Sequence, residues 1–71
     1  MERLAERLAE YKRRYRDAMD APRSRRGFLL ADIMTDMERE FRIPFLRDRA
    51  EKEVDAEVLR FYRLVSDSRS I

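Results

Sequence analysis

The stretch MERLAERLAEYKRRYRDAMDAP, residues 1–22, decides the fold because its apolar side chains recur at helical spacing. They alternate at intervals of three and four residues, which is the a/d pattern of a helix that packs against other helices. Its members are Met1, Leu4, Leu8, Tyr11, Tyr15 and Ala18. Pairs such as Glu10 and Arg14 each support an exposed helix by about 0.2–0.5 kcal/mol. Because Pro22 disfavours helical geometry at the residue before it, we predict a first helix over residues 2–20.

A second amphipathic stretch predicts a helix over residues 25–41. Ser24 is a suitable N-cap for it. In an alternative start, Asp20 is the N-cap and Pro22 lies in the first turn, which leaves almost no linker. The residue before Pro44 is disfavoured in helical geometry, so the helix ends near there. The apolar residues that share one face of this helix are predicted core: Leu30, Ile33, Met34, Met37 and Phe41.

A third helix is predicted over residues 49–67, with Asp48 as N-cap and Glu51 three residues later as in a capping box. Asp55 is an alternative N-cap that would divide this segment into a short turn and a main helix of about 55–67. Apolar side chains again recur at helical spacing, and Phe45 in the preceding loop is expected to plug one end of the core. The predicted core residues of this part are Phe45, Val58, Phe61, Tyr62 and Val65.

Length and composition favour one small all-α domain over residues 1–71, a helical hairpin plus a third helix, with residues 66–71 as a frayed tail. A chain of 71 residues buries only about 60% of its unfolded surface, and this one has no cysteine for a disulfide. Self-association into a larger bundle, most simply a dimer, is therefore expected to complete the core. The candidate interface residues are those of the first helix: Leu4, Leu8, Tyr11, Tyr15 and Ala18.

The residue types present argue against catalysis. The chain has no histidine and no cysteine, which removes the commonest general base and the most reactive nucleophile. Gly27 is the single glycine, so no glycine-rich phosphate loop exists, and we expect no cofactor and no metal. No apolar run approaches the roughly 20 residues of a membrane span, and the N-terminal stretch has no hydrophobic signal core. These features predict a non-enzymatic, cytoplasmic protein–protein interaction or regulatory module that self-associates.

The basic stretch over residues 12–26 supports an alternative function. Residues 1–26 carry nine basic and five acidic side chains, a net of +4, whereas residues 27–71 carry eight and ten, a net of −2. A cluster of this kind can neutralise phosphates, so a nucleic-acid-binding accessory protein is the alternative. The a/d pattern argues against it, because that pattern directs the nearby tyrosines into a helix interface. The candidate anion-binding residues are Arg13, Arg14, Arg23, Arg25 and Arg26.

Overall fold

Four helices account for most of the chain in the computed structural model, which describes residues 3–69 and, for Arg47, the backbone alone. They are α1 (Leu4–Asp20), α2 (Arg23–Phe41), α3 (Arg47–Glu53) and α4 (Ala56–Arg69). No strand occurs in residues 3–69, which confirms the predicted all-α class. Across the same residues, no helix combines the length and the apolarity that crossing a bilayer requires.

The junction between α1 and α2 consists of Ala21 and Pro22 alone. The predicted start of the second helix at residue 25 is two residues late, and Ser24 lies inside the first turn instead of capping it. The carbonyl of Pro22 accepts the backbone N–H groups of Arg25 and Arg26 at 2.9 and 3.0 Å. Proline suits this place because its fixed φ, here −54°, allows a sharp entry into the helix. The alternative is correct that almost no linker remains, but its cap is wrong, because Asp20 ends α1 and Pro22 is itself the N-cap of α2.

Helix α2 ends at Phe41, as predicted from Pro44. Arg42 adopts the left-handed conformation with φ 51° and ψ 53°. This geometry lets the Ile43 N–H donate to the Glu38 carbonyl at 3.2 Å, which satisfies one of the carbonyls left free at a helix C-terminus. The chain then turns toward α3.

The predicted unbroken helix over residues 49–67 is wrong, and the alternative division at Asp55 is correct. The structure has α3 and α4 separated by Val54 and Asp55. Asp55 Oδ1 accepts the Glu57 N–H at 2.9 Å, and the Asp55 carbonyl accepts the Leu59 N–H at 3.0 Å. Both bonds are those of an N-cap. The proposed cap at residue 48 instead lies within the first turn of α3.

The predicted frayed tail over residues 66–71 is wrong for residues 66–69, which continue α4. Ser68 is buried, and its hydroxyl donates to the Leu64 carbonyl at 2.9 Å while forming a second hydrogen bond with Tyr15 at 2.8 Å. These contacts hold the last turn against α1. Residues 70 and 71 lie outside the described part of the chain.

The core lies between α1, α2 and α4. Its buried residues come from all three helices: Leu8, Tyr11, Ala18, Leu30, Ile33, Met37, Val58, Phe61 and Val65. Three further predicted core residues are partly buried against it, namely Met34, Phe41 and Tyr62. Phe45 is a wrong prediction, because its side chain is 106% exposed. It falls in the loop after Pro44, which runs outside the space that the three long helices enclose.

Helix α2 is the central element, and both α1 and α4 run antiparallel to it. Arg7 contacts Glu40 and Arg14 contacts Asp36, so α1 and α2 advance in opposite directions. The pairing of Tyr62 with Glu38 and of Arg69 with Met34 shows the same for α4. Consequently α1 and α4 are parallel to each other, and they pack on α2 more extensively than on one another. The radius of gyration, 12.1 Å, slightly exceeds the roughly 11 Å expected for this length.

Candidate functional site

Three of the five predicted interface residues lie inside the core of a single chain. Leu8, with 2% of its surface exposed, is buried together with Tyr11 and Ala18. Tyr15 is half-buried and packs edge-on against Phe61, with ring centroids 5.7 Å apart. The apolar stripe of α1 therefore packs along the other helices of its own chain. Leu4, the remaining member, is 36% exposed near the start of the helix.

Two acidic side chains of α2, Asp36 and Glu40, contact arginines of α1. Arg14 forms an ion pair with Asp36 at 2.9 Å, and Arg7 forms one with Glu40 at 2.6 Å. The Tyr11 hydroxyl also donates to Glu40, at 2.8 Å. The pKa of Tyr11 is raised to about 12, mainly by burial of the ring and secondly by this hydrogen bond to a carboxylate. In residues 3–69, no group of three or more carboxylates converges closely enough to hold a metal ion.

A second tyrosine joins α4 to α2 in the same manner. The Tyr62 hydroxyl donates to the carboxylate of Glu38, and the ring is partly buried against the core. Burial and this hydrogen bond raise the pKa of Tyr62 to about 12. Because both tyrosines must be protonated to donate, the two contacts are sensitive to alkaline pH.

The five candidate anion-binding arginines do not form one continuous basic surface. Arg13 pairs with Glu10, and Arg14 is engaged by Asp36 and lies over the Tyr11 ring. Arg26 donates from Nη2 to the Met19 carbonyl at 3.1 Å, and its Nε is buried. The other two members, Arg23 and Arg25, are exposed in the first turn of α2.

The gap between the parallel helices α1 and α4 forms an open groove of about 430 Å³. Its apolar lining comes from both helices and includes Leu64, a residue that is 47% exposed. Two basic residues of α1 form its rim, and no acidic residue lines it. We call this feature the α1–α4 groove; its lining residues are Ala9, Lys12, Tyr15, Arg16, Phe61 and Leu64.

The floor of the α1–α4 groove is fixed by hydrogen bonding and ring packing. The Tyr15 hydroxyl is held by Ser68, and its ring meets Phe61 at an interplanar angle of 78°. Both aromatic rings therefore have defined orientations before anything binds. A preformed apolar surface of this kind loses little conformational entropy when a partner packs on it.

Sequence reasoning did not identify the α1–α4 groove, although Tyr15 and Phe61 were singled out as an interface and a core residue. Ala9 and Leu64 were missed because neither belongs to the stripe that predicts the core. A detectable signal existed at Leu64, a large apolar residue placed off the buried stripe of α4. Its position beside a second helix depends on the packing of distant segments, which periodicity within one helix does not specify.

Two further apolar sites are exposed away from this groove. Phe28, on α2, is 77% exposed, and Arg25 precedes it by three residues, so the two share one face. Phe45 and Leu46 are exposed in the loop before α3, and Arg42 lies three residues before Phe45. Each exposed phenylalanine therefore has an arginine close to it in sequence, and each also has an aspartate three or four residues after it, Asp48 or Asp32.

Comparison of the chain with models of protein families, with curated proteins and with solved structures found no match.

Proposed function

We propose that this protein is a non-enzymatic protein–protein interaction module that binds a helix in the α1–α4 groove. The observation that carries the proposal is an apolar groove between two parallel helices, with Leu64 half exposed in it. Isolated exposed leucines are ordinary on protein surfaces. This one adjoins Ala9 and two oriented aromatic rings, so that an apolar partner surface would gain several contacts at once.

A helix suits the groove better than an extended strand or an enclosed small molecule. The groove runs between α1 and α4, both of which are antiparallel to α2. A partner helix lying between them would complete a four-helix arrangement, in which side chains of facing helices interdigitate. Recognition of an amphipathic helix in an apolar groove is a common mode of protein–protein interaction.

The self-association predicted from the sequence is one form of this function, with a helix of a second copy as the occupant. Its original support was the apolar stripe of α1, most of which is now buried within the chain. The nucleic-acid alternative is less well supported, because Arg13, Arg14 and Arg26 are engaged in contacts within the chain. Neither form needs a catalytic group.

The test is binding of a stapled helical peptide of about four turns, with Leu and Ala on one face and uncharged Gln and Ser elsewhere. Fluorescence anisotropy should give a dissociation constant in the micromolar range. Leu64→Glu should raise that constant about tenfold or more, because burying a leucine contributes roughly 1.5–3 kcal/mol. Phe28→Glu, which changes an exposed apolar residue outside the groove, is the matched control and should bind like the wild type.

Absence of measurable binding by the wild type would reject the proposed function. Equal weakening by Leu64→Glu and Phe28→Glu would also reject it, since the peptide would then recognise apolar surface in general. Far-ultraviolet circular dichroism of each variant verifies that the helices remain intact.

A further inference from the structure

We infer that the occupant of the α1–α4 groove is an acidic amphipathic helix of another protein, held by Lys12 and Arg16 on the rim. This inference rests on the proposed function and adds the chemistry of the partner. The groove carries positive charge, because two of its six lining residues are basic and none is acidic.

The rim cations are available to a partner. Both side chains are exposed, and among the described residues neither belongs to an ion pair. The neighbouring arginines differ, because Arg13 pairs with Glu10 of α1 and Arg14 pairs with Asp36 of α2. Lys12 and Arg16 are four residues apart and therefore lie one above the other along the same side of α1. Carboxylates at a matching four-residue spacing on a partner helix would meet both.

The structure argues against a second copy as the occupant. Among the carboxylates of α2, Asp36 and Glu40 already pair with arginines of α1, which leaves Asp32 exposed. The exposed phenylalanines of a second copy are each flanked in sequence by one arginine and one aspartate: Arg25 and Asp32 for Phe28, and Arg42 and Asp48 for Phe45. Docking either phenylalanine would therefore bring no net negative charge to the rim.

A symmetric pairing of two grooves is opposed by charge, because the groove has two basic lining residues and no acidic one. In a twofold interface each surface patch meets its own copy, so the rim cations of both chains would be brought into one contact region. Like charges in close contact oppose association. An acidic helix of a different protein avoids this repulsion and places opposite charges on both sides of the apolar contact.

The experiment compares three stapled peptides that share one apolar face and differ in the flanking residues: Gln, Glu or Lys. At an ionic strength of about 0.1 M, the Glu peptide should bind wild-type protein about tenfold more tightly than the Gln peptide. That ratio corresponds to about 1.4 kcal/mol, the contribution expected of two exposed ion pairs. The Lys peptide should bind more weakly than either.

Charge-reversal variants assign the preference to the rim. The double variant Lys12→Glu and Arg16→Glu should favour the Lys peptide over the Glu peptide. The double variant Arg23→Glu and Arg25→Glu changes the net charge by the same amount outside the groove, and should keep the wild-type preference. Loss of the preference in both variants would overturn the inference, because general charge attraction would then explain it.

The uncharged Gln peptide distinguishes failure of the proposed function from failure of the acidic-partner inference. If it binds and the three peptides do not differ, the groove is a helix-binding site and the acidic partner is wrong. If no peptide binds, the proposed function itself fails. Sedimentation equilibrium that shows a dimer dispersed by Leu64→Glu would assign the groove to a second copy and overturn the inference.

Discussion

Arg26 shows how strongly the role of a single residue depends on the chain around it. Together with its neighbours it forms a basic cluster at the start of α2, where positive charge opposes the helix macrodipole. In the structure its guanidinium reaches back to the Met19 carbonyl, near the C-terminus of α1. Carbonyls in the last turn of a helix lack helical partners, and a cation that donates to one satisfies it. The positive charge of Arg26 therefore stabilises the junction of α1 and α2.

Arg26→Ala should lower the free energy of unfolding by about 1.5–3 kcal/mol, because it removes a hydrogen bond from a charged donor. The matched control is Arg25→Ala, an adjacent and exposed arginine whose loss should change stability by no more than about 0.5 kcal/mol. Urea denaturation followed by circular dichroism measures both. Equal effects of the two substitutions would contradict the assignment of Arg26 to the junction.

Tyr11 and Tyr62 make the stability of the protein depend on alkaline pH. Their pKa values are raised from 10.0 to about 12 in the folded state. A raised pKa contributes stability that is fully present below pH 10 and is lost as the pH rises through 12. Each tyrosine should make the free energy of unfolding fall by at most about 1.4 kcal/mol per pH unit in that interval.

The double variant Tyr11→Phe and Tyr62→Phe should show a shallower decline of stability between pH 10 and 12 than the wild type. Denaturant unfolding at several pH values gives the two slopes, and ultraviolet absorbance of tyrosinate follows ionisation. A variant whose stability declines as steeply as that of the wild type would show that these tyrosines do not cause the pH dependence. The slope is the useful quantity, because losing two hydrogen bonds also lowers stability at neutral pH.

At the scale of secondary structure, the division between α3 and α4 depends on one capping residue. Asp55 holds the Glu57 N–H, whereas Asp48 lies in the first turn of α3. Asp55→Ala should therefore lower the free energy of unfolding by about 1 kcal/mol, within the usual range of 0.5–2 kcal/mol for an N-cap. Asp48→Ala, the control, should cost less, since it loses mainly a favourable interaction with the helix macrodipole. Chemical denaturation measures the free energy of unfolding of both variants. A larger loss of stability for Asp48→Ala than for Asp55→Ala would contradict the assignment of Asp55 as the N-cap.

Local sequence signals predicted the helices well and their junctions less well. Pro44 identified the end of α2, and the a/d pattern of α1 identified Leu8 and Ala18 as packed positions. Asp48 is followed three positions later by Glu51, whereas Asp55 is followed by Val58, so the capping-box pattern favoured the aspartate that is not the cap of the main helix. Phe45 failed for another reason: apolarity predicts burial, whereas the path of a loop beyond a proline depends on the tertiary arrangement.

The α1–α4 groove illustrates what a single sequence leaves open. Tyr15 and Phe61 were identified in separate helices, but their contact requires that α1 and α4 lie side by side on α2. The same packing exposes Leu64 and leaves Lys12 and Arg16 on the rim. Periodicity shows which residues of one helix share a face; it does not show which other helix that face meets.

For the whole molecule, the main question is whether the stripe of α1 forms a core or an interface. Because Leu8 is buried by its own chain, Leu8→Asp should unfold the protein by placing a carboxylate in the core. Leu4→Asp changes a more exposed member of the same stripe and should leave the helices formed. Circular dichroism and sedimentation equilibrium test both variants. If the wild type is a dimer and Leu8→Asp is a folded monomer, the apolar stripe of α1 is an interface between two chains, which would contradict its assignment to the core.

The proposed function of the protein depends most on the α1–α4 groove as the surface that binds a helix. The most direct measurement is a titration of isotopically labelled protein with the Glu-flanked peptide, followed by amide chemical shifts in nuclear magnetic resonance. We expect the largest shifts to cluster at Ala9, Lys12, Arg16, Phe61 and Leu64, and residues around Phe28 and Phe45 to change little. Shifts centred on either of those phenylalanines, or no saturable shifts at all, would contradict the proposed function.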